Sequence, residues 1–152
     1  MLINSEAVKN IAGSIAGSEC KFIHVSTDYV FDGNSNIPYN ENFTANPVTA
    51  YGKSKHAGEM AALRHNRSMV IRTSWLYSSF GNNFVRTIMA KAKERDMLRV
   101  VFDQVGSPTY AADLASAITE IVALVIRNKI AFIPGIYHYS NEGVSSWYDF
   151  AK

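Results

Sequence analysis

Short β-branched runs alternate with stretches of helical periodicity along this chain, and this alternation limits its possible folds more than any other feature. Runs such as KFIHVST, bounded by turn residues, are typical of buried strands. Stretches such as YAADLASAITEIVALVIR repeat their apolar residues at helical spacing. We predict strands at 21–26, 68–74, 97–102 and 135–139. We predict helices at 5–17, 48–66, 82–94, 110–127 and 145–152. The alternation favours an α/β fold, a doubly wound parallel sheet with helices on both faces.

The composition excludes several classes of function. Of the 152 residues 47% are apolar, which is enough to build a core. The net charge of +2 is small and evenly scattered, so we expect neither nucleic acid nor a membrane surface as a partner. No apolar run reaches the roughly 18–20 residues of a membrane span. The single cysteine, Cys20, excludes an internal disulfide and a Cys-based zinc site, and it fits a reducing cytoplasm.

Tyr51 and Lys55 are the strongest candidates for catalytic residues. The two residues are four apart in a predicted helix, so they share a face with their Cβ atoms about 5–6 Å apart. A phenol is protonated at pH 7, and a neighbouring ammonium lowers its pKa. The pair therefore suits proton donation to a carbonyl oxygen while hydride arrives at the carbon. By itself the Tyr-x-x-x-Lys spacing is a weak motif, and an exposed helix start with solvated lysines would also explain it.

Polar residues follow the first predicted strand directly. Ser26, Thr27 and Asp28 stand where this strand leaves the sheet, and ligands bind at the carboxyl edge in such folds. A hydroxyl there can donate to the same carbonyl oxygen that Tyr51 protonates. The alternative is that Ser26 and Thr27 cap the backbone of the long loop at 28–47.

Five blocks of the sequence together resemble one known family. In chain order they are STDYVFDG, PYNENFTANPVTAYGKSKHAGE, IRTSWLYSSFGNNFV, DQVGSPTYAADLA and GIYHYSNEGVSSWYDFAK. They closely resemble the dTDP-4-dehydrorhamnose reductase family, which belongs to the extended short-chain dehydrogenase/reductases. The resemblance runs from about Asn4 to Lys152, with the blocks in the family's order and spacing.

The resemblance implies an enzyme with a Rossmann-like fold. Residues 1–152 would form a partial NAD(P)-binding reductase domain, the catalytic central segment with parts of the substrate-binding lobe. The implied reaction reduces the 4-keto group of dTDP-4-dehydro-L-rhamnose to dTDP-L-rhamnose, a step of nucleotide-sugar biosynthesis. NADPH would donate the hydride, NADH would also be a candidate, and a homodimer is left open.

The resemblance also implies roles for individual residues near the first strand. Tyr51 would be the catalytic acid, and Lys55 would lower its pKa and bind the nicotinamide ribose. Thr27 would orient the substrate carbonyl, with Asp28 beside it in the sugar-nucleotide pocket. Ser26 is expected on the cofactor side.

Three residues farther along are expected on the substrate side. Trp75 resembles the residue that flanks the sugar ring, since an indole face suits the apolar side of a deoxysugar; a core aromatic is the alternative. Asn83 and Gln104 resemble the nucleotide-diphosphate side. An asparagine at a predicted helix start would also serve as an N-cap for its own sake.

The sequence lacks the glycine-rich turn that holds a dinucleotide pyrophosphate. None of its nine glycines forms such a pattern after a strand. The sequence also predicts a helix at each end of the chain, and neither end carries a loop or a capping residue. We therefore expect an internal segment of a larger protein that is inactive alone; normal NADPH-dependent reduction by this chain alone would contradict that expectation.

Two other functions remain open from the sequence. One is a non-catalytic, NADP-binding regulatory subunit resembling that of S-adenosylmethionine synthetase, although such a subunit has no need for Thr27, Tyr51 and Lys55 together. The other is a different sugar-nucleotide epimerase or reductase of the extended family. Dehydratases of the extended family generally carry an acidic pair after the strand-end threonine. Here Asp28 is followed by Tyr29, so the sequence disfavours dehydration.

No metal site is predicted. The four histidines lack the spacing of zinc hydrolases, and we expect them to be structural or surface residues. Asp28, Asp32 and Glu41 lack the regular spacing of a cation loop and are expected to be solvated loop carboxylates.

Overall fold

The computed structural model describes residues 2–152, which form seven strands and five α-helices. The strands are β1 (Phe22–Thr27), β2 (Ser68–Thr73), β3 (Leu76–Tyr77), β4 (Val105–Gly106), β5 (Thr109–Tyr110), β6 (Gly135–His138) and β7 (Ser145–Ser146). The α-helices are α1 (Ala7–Ser14), α2 (Ala50–Ala62), α3 (Phe84–Ala92), α4 (Ala111–Ile126) and α5 (Trp147–Phe150). A π-helical turn, Leu2–Glu6, precedes α1, and a 3-10 turn, Asp28–Val30, follows β1. None of the helices between residues 2 and 152 combines the length and apolarity needed to span a bilayer.

The chain divides into two compact units. The first unit comprises the residues up to Thr73 together with Arg127–Tyr139, and the second comprises Ser74–Ile126 and Ser140–Lys152. The chain therefore passes between the units three times. Because no single linker separates them, the sequence shows no linker composition at any one boundary.

The first unit is a three-stranded parallel sheet with helices packed on it. The strand order is β1-β2-β6, and both pairings are parallel. Val8 of α1 and Ala61 and Ala62 of α2 pack with Val70 of β2 in a buried cluster. Every residue of β2 is buried, as expected for the central strand of a parallel sheet. The predicted α/β class with a parallel sheet is confirmed, and the strands predicted at 21–26, 68–74 and 135–139 are present with shifts of one residue at their ends.

The second unit is built around α4 and a cluster of aromatic rings. Two short strand pairs, β3 with β5 and β4 with β7, lie beside them. Trp75 stacks on Trp147 with their ring centroids 3.5 Å apart. Phe84 and Phe150 also pack against this pair of indoles. Ser146 and Asp149 form a capping box that begins α5, so the helix predicted at the end of the chain is present.

The strand predicted at 97–102 is wrong. In the structure these residues have no strand partner within the described part of the chain. Val101 accepts one backbone hydrogen bond, from the Tyr148 N–H at 3.0 Å, and Met97 and Phe102 are 75% and 68% exposed. A β-branched run supplies a strand only where another strand offers its backbone groups, and periodicity by itself does not show whether a partner is present.

Candidate active site

The strand end at Thr27 is an ordered polar turn. The Thr27 hydroxyl donates to the Asp28 carboxylate at 3.0 Å and accepts from the Tyr29 backbone N–H at 3.2 Å. The second bond caps the 3-10 turn, so Thr27 does cap the backbone of the loop that follows, which was the alternative to a substrate contact. Burial is the largest influence on Asp28 and raises the pKa of its carboxyl, although the hydrogen bond from Thr27 opposes the shift.

Tyr51 lies in the first turn of α2, which packs directly against this polar turn. Thr49 is the N-cap, and its hydroxyl accepts from the Gly52 N–H at 3.0 Å. A Cβ atom on Gly52 would lie 2.1 Å from the Tyr29 carbonyl oxygen, so only glycine allows the helix to approach this closely. The rings of Tyr29 and Tyr51 meet edge to face, with their centroids 5.7 Å apart. The helix start and the strand end thus form one surface.

Lys55 connects the next turn of α2 to the same strand. Its Nζ donates to the backbone carbonyl of Val25 at 2.8 Å. Burial lowers the pKa of Lys55, and the negative charge of Glu59 one turn along acts in the opposite direction. An ammonium group has three donors, and only one of them is used by Val25.

The pKa of Tyr51 is raised in the structure. Burial is the main cause, the Asp28 carboxylate adds to it, and the Thr27 hydroxyl opposes it through a hydrogen bond. The sequence led us to expect a lowered pKa, with the Lys55 ammonium as the cause. In this structure the ammonium is bonded to Val25, so the lowering by Lys55 stays a prediction. At neutral pH Tyr51 is a protonated donor.

Ser26 does not share the surface formed by Tyr51 and Lys55. Its side chain is 3% exposed and lies near the buried Glu59 carboxylate. In a strand, neighbouring side chains point to opposite faces, so Ser26 and Thr27 diverge. A cofactor contact from the Ser26 hydroxyl stays a prediction, and the observed surroundings are those of a buried structural residue.

The substrate-side residues Trp75, Asn83 and Gln104 all belong to the second unit. One face of the Trp75 indole is covered by Trp147, and its backbone has φ 45°, which is strained for a bulky residue. The Asn83 side chain accepts from the Arg86 N–H and donates to Ser78 O, so it caps α3. Gln104 is exposed just before β4. Their predicted roles toward a sugar nucleotide stay predictions.

Gly106 gives a test of how tightly Trp75 is held. A Cβ atom at this position would lie 2.5 Å from Trp75 Cε2, so we expect Gly106→Ala to displace the indole. The cost of overpacking is about 1–3 kcal/mol of unfolding free energy. Near-UV circular dichroism should lose part of the signal of the stacked indoles, and urea unfolding measures the loss of stability. Ser107→Ala, which adds no atoms at the next position, is the control; an unchanged spectrum of Gly106→Ala would contradict the close contact.

Sequence reasoning missed the residues that hold α2 in place. Glu59 of α2 is fully buried and binds Arg72 of β2 through two hydrogen bonds of 2.9 and 2.8 Å. A Cβ atom on Gly58 would lie 2.1 Å from the Asn4 carbonyl oxygen, so the N-terminal π-helical turn also rests on α2. The available signal was an arginine directly after the apolar residues of the strand SMVIRT, since a charge in a buried strand needs a partner.

His65 and the loop acids Asp32 and Glu41 have structural partners. His65 Nε2 lies 2.7 Å from Cys20 O, and Glu41 accepts from the His138 backbone N–H. Asp32 accepts from the Tyr39 hydroxyl at 2.7 Å and from two further groups of the loop. No three His, Cys, Asp or Glu side chains within residues 2–152 are placed to hold a metal ion. These residues therefore organise the loop and the sheet.

His24 gives a pH-dependence that can be measured. Burial, followed by the Lys55 charge, lowers the pKa of His24 to about 4. The pKa of His24 in the folded chain lies below the unfolded value of about 6.5. The folded state is therefore at its most stable, as far as His24 is concerned, above about pH 6.5, and it loses stability as the pH falls toward 4. The loss over this range is about 3 kcal/mol. Urea unfolding between pH 7 and 4.5 should show a larger loss of unfolding free energy in the parent than in His24→Gln. Equal losses in the two proteins would show that His24 has an ordinary pKa.

The whole chain resembles one family of known proteins. Residues 1–152 match the family described as the RmlD substrate binding domain. The chain belongs to this family. Individual relatives are similar to the chain as well. It is 43% identical over 150 residues to dTDP-4-dehydrorhamnose reductase of Aggregatibacter actinomycetemcomitans, and the match covers 98% of this chain and 51% of that protein. It is 47% identical over 132 residues to the spore coat polysaccharide biosynthesis protein SpsK of Bacillus subtilis, covering 86% and 44%.

A solved relative shows the same backbone. The crystal structure of dTDP-4-dehydrorhamnose reductase from Bacillus anthracis, in complex with NADP, has a TM-score of 0.87 and 41% identity to this RmlD family member. The match covers 99% of this chain and 51% of that one. The predicted reductase resemblance and Rossmann-like fold are thereby confirmed. The chain spans about half the length of these relatives.

Proposed function

We propose that this chain is the catalytic segment of a reductase that converts the 4-keto group of dTDP-4-dehydro-L-rhamnose to the alcohol, with NADPH as the hydride donor. The observation that carries the proposal is the meeting of Tyr51, Lys55 and Thr27 at the carboxyl end of β1, where ligands bind in such sheets. Similarity to dTDP-4-dehydrorhamnose reductases supports the substrate, and the single exposed cysteine supports a cytoplasmic setting.

The residues of the site can supply the proton that the reduction needs. NADPH, when bound, supplies a hydride to the carbonyl carbon. The carbonyl oxygen then takes a proton, and Tyr51 holds one at neutral pH because the ordinary pKa of a phenol is about 10 and burial raises it further. The Thr27 hydroxyl can orient the same oxygen by turning its proton from Asp28 toward the substrate. The Lys55 ammonium stabilises the phenolate left on Tyr51.

The donor set fits the nicotinamide end of the cofactor. Lys55 lies half-buried beside the half-exposed Tyr51, and two of its three ammonium donors are not needed by Val25. They can bind the hydroxyls of the nicotinamide ribose. NADPH is preferred to NADH in the proposal because the Bacillus anthracis relative was crystallised with NADP.

The substrate side of the proposal rests on the second unit. We assign the sugar ring to Trp75, whose half-buried indole stacks on Trp147. Asn83 and Gln104 are assigned to the nucleotide diphosphate, with Asp28 at the sugar. The exposed side chain of Gln104 and the amide-rich start of α3 supply hydrogen-bond donors for phosphate oxygens.

The test is an assay of the complete reductase, meaning this segment joined to the half of the Aggregatibacter relative that it does not match. We expect oxidation of NADPH, followed at 340 nm, that depends on dTDP-4-dehydro-L-rhamnose and yields dTDP-L-rhamnose. Cofactor binding without turnover would favour a regulatory subunit. Turnover with only other 4-keto sugar nucleotides would move the substrate assignment within the extended family.

A further inference from the structure

The buried pair of Glu59 and Arg72 has no place in the proton transfer, yet it lies directly behind the site. Glu59 is 0% exposed and Arg72 is 4% exposed. The Arg72 Nε donates to Glu59 Oε1 at 2.9 Å, and Nη2 donates to Oε2 at 2.8 Å. Removing two charges from water costs so much that such a pair is poor evidence for a gain in stability. Its two parallel hydrogen bonds do, however, fix the relative orientation of the two side chains.

The pair connects α2 with the central strand of the sheet. Tyr51, Lys55 and Glu59 follow one another at intervals of four residues, so they form one stripe along α2. Contact between Gly52 and Tyr29 holds the first turn of the helix, and the pair holds the helix two turns later. With both ends fixed, the helix cannot rotate about its axis.

Arg72 is itself held on several sides. It stands in one row of the sheet between Ser26 of β1 and His138 of β6. The Phe31 ring covers its guanidinium, with Cζ 5.0 Å from the ring centroid. Phe31 follows the 3-10 turn that begins after Thr27. The guanidinium is thus oriented by the same loop that carries the strand-end residues of the site.

We propose that Glu59 and Arg72 are positioning residues, whose buried bidentate pair sets the rotation of α2 so that Tyr51 and Lys55 face the strand end at Thr27. The inference rests on the proposed function, since it concerns the same proton transfer. Helix side chains end roughly 5–6 Å from the axis, so a rotation of about 10° moves them by about 1 Å. A displacement of this size costs on the order of 100-fold in rate.

The charge of Glu59 has a second effect on the site. It raises the pKa of Lys55 against the larger lowering caused by burial. Four other basic groups face or surround this carboxylate: Arg72, His56 at 3.3 Å, and the more distant His24 and His138. Of the charged groups around Lys55, the Glu59 carboxylate is the one that favours its protonated form.

The decisive variant replaces the whole pair by apolar residues of similar volume, Glu59→Leu with Arg72→Met. Such replacements of buried pairs often preserve stability, so the double variant separates positioning from folding. In the complete reductase we expect kcat to fall at least tenfold while KM for the sugar nucleotide changes less than twofold. A double variant that unfolds like the parent and keeps its kcat would overturn the inference.

Single variants keep the test decisive if the double variant does not fold. Arg72→Lys retains the charge but not the bidentate geometry, and it should also lower kcat at least tenfold. Glu59→Gln retains the shape of the side chain, and it should shift the alkaline limb of the rate profile to lower pH, because Lys55 then loses its proton more easily. Full parental rates with an unshifted profile in both variants would overturn the inference.

A matched control and a structural readout complete the design. Arg67 and Glu19 form an exposed pair at 2.6 Å, and Glu19→Gln removes the same charge there without an expected change in kcat. In the 152-residue chain, NMR with labelled tyrosine rings should show the contact between the Tyr51 and Tyr29 rings weakened in the double variant. An unchanged contact would count against positioning. If the unsubstituted reductase is inactive, the proposed function fails, and this NMR comparison still tests the placement of α2.

Discussion

Replacing Tyr51 by phenylalanine is expected to lower kcat of the complete reductase by about 10²–10⁴-fold, the usual contribution of a general acid. The substitution keeps the ring and its edge-to-face contact with Tyr29, so the loss would belong to the hydroxyl proton. Dissociation constants for NADPH, measured by fluorescence titration, should change by less than a factor of three. The assay compares kcat and cofactor affinity in the same preparation.

Tyr137→Phe is the matched control for this substitution. Its hydroxyl donates to the Ile133 backbone carbonyl at 3.1 Å on the last strand of the first unit, and it has no part in the proposed proton transfer. We expect its kcat to stay within a factor of two of the parent. If Tyr51→Phe kept a similar rate, the assignment of Tyr51 as the acid would be wrong.

The second large effect is expected from Gly52→Ala. The new Cβ atom would lie 2.1 Å from the backbone oxygen of Tyr29 and 3.1 Å from Pro47 Cβ. Since the nearest obstacle is backbone, α2 or the 3-10 turn must move. We expect a loss of about 3 kcal/mol in unfolding free energy, at the upper end of overpacking costs. Whatever protein remains folded should have lost most of its activity, because Tyr51 is the preceding residue.

Gly13→Ala separates the steric effect from the general effect of placing alanine in a helix. Gly13 lies in α1, and nothing stands within 4 Å of the position that its Cβ would take. Alanine there should stabilise the chain by about 0.5–1 kcal/mol. Urea unfolding of both variants gives the comparison. Equal effects of the two substitutions would show that the contact with Tyr29 does not restrict α2.

Much of the fold could be predicted because local periodicity reports on it directly. The β-branched and aromatic character of KFIHVST and the helical spacing in the segment that forms α4 depend on neighbours in the sequence. The run at 97–102 has the same β-branched character but no partner strand among residues 2–152, so the same reasoning was wrong there. Strand formation needs a second strand, which a local pattern does not contain.

The candidate site was predictable to the extent that it depends on spacing. Tyr51 and Lys55 share a helix face because they are four residues apart. Thr27 stands at a strand end because the β-branched run stops there. The direction of the Tyr51 pKa was not predictable, since it depends on burial and on Asp28, which only the packing brings near.

The sequence alone determined the alternation of strands and helices, the stripe of Tyr51 and Lys55, and the family resemblance that the comparisons confirmed. The tertiary structure decided which side chains meet. Arg72 could have paired with any acidic residue, and the parallel arrangement of β1 and β2 under α2 brought Glu59 to it. The physical reason is range: periodicity acts over a few residues, whereas a buried pair or a close glycine contact forms only after distant elements have packed.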